Sequence, residues 1–443
     1  MIMDIDKILA KLKIESLNVM QQASLEAVKE NDNDIVLLSA TGTGKTLAYL
    51  LPLISLIDGG SDELQAVVMV PGRELALQSD TVLKNMGSGL RSFCCYGGRP
   101  TMDEHRKLRE VKPQIVFATP GRLNDHLKKA NLLPYGVRYV VIDEFDKCLE
   151  MGFRDEMADI LSQLKGVRRR FLLSATDTDD IPSFVNMKKT TRIDFLDHSE
   201  QISDRVNVFE VKSQQKDKLD TLAELLLSFG AQSSIVFLNY RDSVERTNEY
   251  LRKRGFYTSY FHGGMEQKYR EDALYKFSNG TANILVATDL ASRGLDIPDI
   301  DNIVHYHLPL DAQSYIHRVG RTARWDASGR AFFILGPEET MPGFIDERPE
   351  PYDIPPMTED TEIPVPRMAT IYIGKGKKDK LSKGDIVGFL CKKGGLESGD
   401  IGRIDVKDRY TYAAIDRSKL YDVLRRVKGE KIKGVKTIVE IVK

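Results

Sequence analysis

Short apolar runs of three to six residues recur along the first three quarters of the chain, separated by amphipathic stretches of helical period. In the first half they fall at 35–38, 66–70, 115–118, 139–142 and 171–173. Runs that are continuously apolar rather than alternating, with helices between them, predict strands buried on both faces. That is the signature of a parallel, doubly wound α/β sheet. A second series at 206–211, 235–238, 284–287, 303–306 and 331–335 predicts a second unit of the same kind. The polar, aperiodic stretch 194–204 reads as the linker between them. Clefts between such units are favoured ligand sites.

The pattern changes after residue 336. Residues 337–366 hold eight of the chain's 17 prolines, with many acids and few aliphatic residues. This composition predicts an extended connector. Strand 370–373, helix 383–393, a hairpin of 401–406 with 410–415, a helix capped by Ser418 and running to 427, and strand 437–442 follow. The βαββαβ order in so short a segment predicts an α/β plait, the plan of RNA-recognition domains. The expected division is therefore 1–198, 199–340, a linker at 341–366, and 367–443.

Charge sharpens this division. The whole chain has a formal net charge of −1, but residues 367–443 carry 20 Lys+Arg against 10 Asp+Glu, a net of +10, leaving the rest at −11. A basic module on an acidic body points to an anionic partner. No apolar run approaches the roughly 18 residues that span a bilayer, and the first residues lack the basic and apolar blocks of a secretory signal. Four cysteines without metal-ligand spacing fit a reducing cytoplasm.

Three stretches carry chemistry. Ser39-Ala40-Thr41-Gly42-Thr43-Gly44-Lys45-Thr46 lies between a strand and a helix. Backbone N–H groups in such a loop cradle phosphates, with Lys45 reaching the terminal phosphates and Thr46 sitting on Mg²⁺. A tight turn containing Gly-Lys-Thr is the plainer alternative, and the strict pattern has glycine where Ser39 stands. Asp143-Glu144-Phe145-Asp146 ends an apolar strand, which puts carboxylates at the carboxyl edge of a parallel sheet, where substrates bind. Asp143 suits Mg²⁺ held through water and Glu144 an attacking water; a solvated acidic turn is the alternative. Arg321 and Arg324 lie one helical turn apart and can converge on one anion, although a solvated basic face is the common reason for such a cluster.

Taken together these stretches resemble the DEAD-box ATP-dependent RNA helicases over nearly the whole chain. Pro71-Gly72-Arg73-Glu74-Leu75-Ala76, Gly97-Gly98 and Thr119-Pro120-Gly121-Arg122 are similar to the family's RNA-contacting motifs, and Ser174-Ala175-Thr176 is its third motif. In the second half Phe237-Leu238-Asn239, His262-Gly263-Gly264 with Gln267 and Arg270, Ala287-Thr288-Asp289 with Arg293-Gly294-Leu295-Asp296, and His317 to Arg324 follow in the family's order. The resemblance implies two tandem RecA-like domains that close on ATP and Mg²⁺. Gln21, Thr41, Gly42, Thr43, Gly44, Lys45 and Thr46, together with Gly294 and Asp296, would hold the nucleotide, with Gln21 reading adenine. Lys45, Asp143, Glu144, His317, Arg321 and Arg324 would be catalytic, and Thr46 and Asp143 would hold the metal, largely through water. Asp146, Ser174 and Thr176 would couple hydrolysis to strand separation. Arg73, Gly98, Thr119, Arg122 and Thr288 would contact the RNA backbone.

The segment from Ile371 to Lys380, with Gly384 to Gly388 and Ile401 to Asp405, resembles the RNA-binding tail of DbpA-type bacterial helicases. An RRM-like tail is implied, anchored to a large-subunit ribosomal RNA hairpin through Lys375, Lys377, Lys378 and Lys380, with Tyr372, Tyr410 and Tyr412 as candidates to stack on bases. The expected activity is local unwinding or remodelling of short RNA duplexes in large-subunit assembly, with no membrane and no obligate protein partner. Three departures from the family stand out: Phe145 replaces the name-giving alanine, Gly72 replaces a threonine, and Met3, Asp4 and Ile5 stand where an adenine-stacking aromatic belongs. Phe145 is expected to point away from the metal and leave activity intact. The alternatives are a non-catalytic RNA clamp or chaperone, and a general messenger-RNA helicase.

Overall fold

The computed structural model describes residues 5–40, 42–98, 101–177, 181–196, 206–292, 300–322, 329–345, 349–356 and 362–442. Thr41, Gly294, Asp296 and Arg324 of the candidate site lie outside them, as do Met3, Asp4, Arg293 and most of the first linker.

The first unit is built on seven strands: β1 (Asp34–Leu38), β2 (Ala66–Met69), β3 (Ser92–Cys95), β4 (Ile115–Ala118), β5 (Tyr139–Ile142), β6 (Arg169–Ser174) and β7 (Thr190–Asp194). They form one sheet in the order β3-β4-β2-β5-β6-β1-β7, and every pairing is parallel. Helices cover both faces, so β1, β2 and β4 are buried throughout. The buried side chains form two layers, one around Tyr49, Leu50 and Phe117's neighbours on the face of helix Lys45–Leu56, the other around Phe145, Met157 and Leu123.

The second unit repeats the plan. Its strands are β8 (Val206–Lys212), β9 (Ser234–Phe237), β10 (Thr258–Phe261), β11 (Ile284–Ala287), β12 (Asn302–His305), β13 (Gly329–Leu335) and β14 (Glu350–Pro351), ordered β10-β11-β9-β12-β13-β8-β14 and all parallel. The proline-rich connector therefore is not merely extended. Glu350–Pro351 adds an edge strand to β8, the Tyr352 amide donates to Glu210 O (2.8 Å), and the Tyr352 ring packs edge-on against Phe209 and Phe332. Proline is tolerated here because an edge strand needs few ladder bonds.

The tail belongs to the same compact unit as this second lobe. Strands β15 (Met368–Ile373), β16 (Ile401–Val406), β17 (Thr411–Asp416) and β20 (Val439–Ile441) form an antiparallel sheet ordered β16-β17-β15-β20, backed by helices Lys383–Lys392 and Leu420–Val427. This is the anticipated βαββαβ order. A small hairpin of β18 (Lys431–Ile432) and β19 (Val435–Lys436) precedes the last strand. Asp416, rather than Ser418, accepts the capping hydrogen bond, at the short turn Arg417–Lys419 that leads into the final helix. Ile371, Ile373, Ala413 and Ile415 point inward to the tail's own core.

Candidate nucleotide and RNA site

Strand order decides what the loops can do. Because β5, β6 and β1 are consecutive neighbours, the segments after their carboxyl ends lie side by side. These segments are Asp143–Asp146, Ser174–Thr176 and the phosphate loop. Next to them, β2, β4 and β3 lead into Arg73, Thr119–Arg122 and Gly97–Gly98. One sheet edge thus carries the candidate nucleotide motifs on one half and the candidate RNA motifs on the other, at the edge where open α/β sheets bind ligands.

In the phosphate loop Gly42 and Gly44 adopt φ of 88° and 89°, conformations that favour glycine. A Cβ on Gly44 would also lie 2.5 Å from Gln21 Nε2. Helix Val19–Glu30 is docked here by its own capping box: Asn18 accepts from the Gln21 amide (2.9 Å) and Gln21 Oε1 accepts from the Asn18 amide (3.1 Å). The spare donors of these two side chains reach Thr43 O (2.9 Å) and Gly44 O (3.3 Å), so Gln21 is held against the loop. Ser39, at the position where glycine is usual, donates to Thr43 Oγ1 (2.7 Å). Lys45 Nζ donates to the carbonyls of Ser39 (2.6 Å) and Ala40 (2.7 Å) in a buried position, and Thr46 opens the same helix beside it.

Asp143 is buried and accepts from the Glu144 amide (2.9 Å). Burial first, and then the neighbouring Glu144 charge, push its carboxyl up to about 7 against the pull of Lys45. Glu144 is non-glycine at φ 50°, ψ 53°, the left-handed conformation, which turns the chain sharply out of β5 and into helix Phe145–Glu150. Thr176 Oγ1 donates to Asp146 Oδ2 (3.2 Å), and the Thr176 amide donates to Ser174 Oγ (3.2 Å). The three residues expected to couple the motifs are therefore in direct contact.

Phe145 is fully buried among the apolar side chains of the first lobe's second layer. The ring is one of the largest fully buried side chains of the lobe. Phe145→Ala is expected to destabilise the first lobe by about 3 kcal/mol through the cavity left behind, while the folded fraction keeps its turnover. Denaturant unfolding alongside activity per folded molecule checks this.

On the RNA half, Gly98 has φ 92°, and a Cβ there would lie 2.7 Å from Arg73 Nη1, so the glycine admits the arginine. Gly72 is the non-helical residue before helix Arg73–Met86 and supplies no side-chain cap. Thr119 precedes helix Pro120–Lys128, and Arg122 on it is fixed by Glu104 (Nε–Oε2 2.8 Å), whose carboxylate also meets His126 Nε2 (2.9 Å).

In the second lobe, Thr288 follows β11 and its amide donates to Phe261 O (3.2 Å). His317 lies on helix Ala312–Val319, Arg321 just beyond it, and both are buried. The chief residue that motif reading passed over is Arg318. It is wholly buried and bonds Asp289 twice (2.5 and 3.1 Å), His307 O (2.8 Å) and Asn239 Oδ1 (2.8 Å). The Asn239 backbone amide in turn donates to His307 Nδ1 (3.1 Å), and its Nδ2 donates to Leu308 O (3.1 Å). This network knits the fourth, fifth and sixth motifs together. Burial and the adjacent cations, Lys218 and Arg318, drive His307 down to about 4, so it stays neutral. The tail lysines Lys377, Lys378 and Lys380 are exposed, and Lys375 pairs with Asp379 (3.1 Å).

Comparisons with known proteins place three segments of the chain in known families. Residues 18–183 match the DEAD/DEAH box helicase family, residues 217–326 the helicase conserved C-terminal domain, and residues 370–441 the DbpA RNA binding domain. The chain is 32% identical over 435 residues to the ATP-dependent RNA helicase DbpA of Escherichia coli, covering 97% of this chain and 95% of that one. It is 30% identical over 450 residues to DbpA of Bacillus subtilis, covering 94% and 92%. The structure of S. cerevisiae Dbp5 bound to RNA and ADP BeF3 superposes with a TM-score of 0.67 at 25% identity, over 75% of this chain and 87% of that one. No helix among the described residues is long and apolar enough to cross a membrane. With its paired parallel sheets, its ordered motifs and its matched tail, the chain belongs to the DEAD-box ATP-dependent RNA helicases, in the DbpA-type group that carries an RNA-binding domain after the helicase lobes.

Proposed function

We propose that the chain hydrolyses ATP in complex with Mg²⁺ to open short RNA duplexes locally, at a large-subunit ribosomal RNA hairpin held by its tail, during ribosome assembly in the cytoplasm. The observation that carries this reading is the β5-β6-β1 adjacency, which collects Lys45, Asp143, Glu144, Ser174 and Thr176 at one edge. Mg²⁺ keeps several of its waters and takes one or two protein oxygens plus substrate phosphates. Thr46 and Asp143 are the hard oxygen donors for it, and the raised proton affinity of Asp143 is what a nearby cation would relieve. Bound there, the ion would neutralise charge on the β- and γ-phosphates.

In this reading Gln21 selects adenine, Lys45 leaves the loop carbonyls for the terminal phosphates, and Glu144 orients the attacking water. His317, Arg321 and Arg324 contribute the second lobe's share of positioning and positive charge. Gly294 and Asp296 serve the nucleotide. Asp146, Ser174 and Thr176 relay the change to Arg73, Gly98, Thr119, Arg122 and Thr288, which hold RNA by its backbone and so with little sequence preference. Steady-state phosphate release with and without RNA tests the reading. Turnover that RNA does not stimulate would sink it.

Target choice is assigned to Lys375, Lys377, Lys378 and Lys380 of the tail. If they neutralise phosphates, log affinity for an RNA hairpin falls linearly with log salt, each contact adding roughly 0.7–0.9 to the slope. Quadruple replacement by glutamine is therefore expected to lower the slope by about 3. Fluorescence anisotropy across a salt series measures it, with ribosomal and unrelated hairpins in competition to establish the target.

A further inference from the structure

Arg122 does not stand alone on its helix. It and His126 lie four residues apart on helix Pro120–Lys128, on one face, and both reach the same carboxylate oxygen, Glu104 Oε2, at 2.8 and 2.9 Å. Glu104 belongs to helix Thr101–Val111, which starts shortly after Gly97-Gly98. One carboxylate therefore joins the helix that follows one candidate RNA motif to the helix that carries the next. Asp125 is no substitute for it, standing 3.9 Å from Arg122 Nη1 and committed to Lys129 at 2.6 Å.

The cluster is buried except for the arginine. The side chains of Glu104 and His126 are 2% and 0% exposed, whereas Arg122 keeps 14%. Glu104 Oε1 is buried with no hydrogen-bond partner among the described residues, so Oε2 carries both donors. Behind His126 the helix ends and the chain doubles back. Ala130 takes φ 51°, and the Asn131 amide donates to His126 O (2.9 Å). This turn brings Asn131 Nδ2 to 3.4 Å from His126 Nδ1, and the same Nδ2 also meets His105 Nε2. A side-chain NH₂ only donates, so His126 Nδ1 accepts and Nε2 carries the hydrogen given to Glu104. In this tautomer His126 fixes the carboxylate in place and Arg122 supplies the matching charge. A guanidinium is planar, so fixing Nε fixes the plane in which Nη1 and Nη2 lie.

We propose that Glu104 is a positioning residue for RNA binding: buttressed by His126 and Asn131, it presets the Arg122 guanidinium so that an RNA phosphate meets an arginine already in place. Such preorganisation raises affinity by sparing the side-chain entropy that a loose arginine loses on binding. Glu104 and His126 both stand outside the motif Thr119-Pro120-Gly121-Arg122. The inference rests on the reading of Arg122 as an RNA-backbone contact.

A double-mutant cycle on the full chain tests it, read as affinity for a fluorescein-labelled oligouridylate in the presence of ADP and beryllium fluoride. An unstructured RNA keeps a hairpin-binding tail from masking the helicase lobes. Arg122→Ala is expected to weaken binding about tenfold, the scale of one charge-assisted hydrogen bond. Glu104→Ala should weaken it about fivefold, and Glu104→Gln, which keeps an acceptor in the same place, less than about twofold. In the Arg122→Ala background Glu104→Ala should add nothing, because its effect passes through the arginine. Folding should follow the opposite pattern. Arg122→Ala leaves a buried carboxylate uncompensated and lowers the urea midpoint; adding Glu104→Ala restores part of that midpoint but none of the RNA affinity. The inference is overturned if Glu104→Ala binds within about twofold of the parent, or weakens binding equally with and without Arg122, the mark of a general structural role. Should Arg122→Ala itself bind like the parent, the reading of Arg122 as an RNA contact fails and the inference falls with it.

Discussion

Lys45→Ala is expected to reduce RNA-stimulated phosphate release by at least about 10²-fold, the scale on which single donors to transition-state charge act. The argument is geometric. Lys45 opens its helix behind two left-handed glycines, and its ammonium is buried against the loop carbonyls within the electrostatic reach of Asp143. Alanine removes the one cation that the loop itself supplies. Glu144→Gln should lose turnover on a similar scale, but by a different route: nucleotide affinity is kept because the phosphate loop is untouched. Nucleotide binding by fluorescence and phosphate release over an RNA titration distinguish the two. A Lys45→Ala chain turning over within tenfold of the parent would remove the phosphate loop from the mechanism.

Asp289→Ala is expected to cost the second lobe about 3 kcal/mol, the lower end of what breaking a buried ion pair costs. Arg318 has no exposed surface, and among the described residues Asp289 pairs with it as the carboxylate, alongside the His307 carbonyl, Asn239 Oδ1 and His305 Nδ1. Removing Asp289 leaves a guanidinium charge in the interior beside His305, which is itself held neutral by burial. Asp289→Asn should cost less, since it retains hydrogen-bonding capacity. Replacing both partners, as Asp289→Leu with Arg318→Met, should recover part of the loss because no orphaned charge remains. Urea unfolding followed in the second lobe measures each step. A loss under about 1 kcal/mol for Asp289→Ala would mean that the pair is solvated.

The central strands were legible because they are apolar on both faces. Residues 115–118, 139–142 and 284–287 coincide with their strands to the residue. The strands of the two lobes that periodicity did not reveal are β3, β7, β10 and β14, and each sits at an edge of its sheet. An edge strand meets solvent on one side, so Thr190-Thr191-Arg192-Ile193-Asp194 buries only Ile193 and carries no apolar run. The motif residues were readable by their order, and the coupling contact between Asp146 and Thr176 follows from it. What order could not convey is burial. Arg318 looks in the sequence like one more arginine in a basic stretch, and only the packing shows it to be the centre of a network. Tyr410 and Tyr412 present the reverse case: aromatic residues in a basic module suggest bases, whereas their hydroxyls are committed to Glu271 and Asp272.

The strap formed by Glu350–Pro351 and Tyr352 bears on where the polypeptide can be cut. A shortened helicase ending soon after β13 would lack it, uncovering the rings of Phe209 and Phe332 and leaving the outer backbone of β8 open to a neighbouring molecule. Such a fragment should self-associate, whereas one extended through residue 356 should stay monodisperse. Composition would have marked that proline-rich stretch as dispensable, yet it serves as the hem that keeps the sheet from fraying.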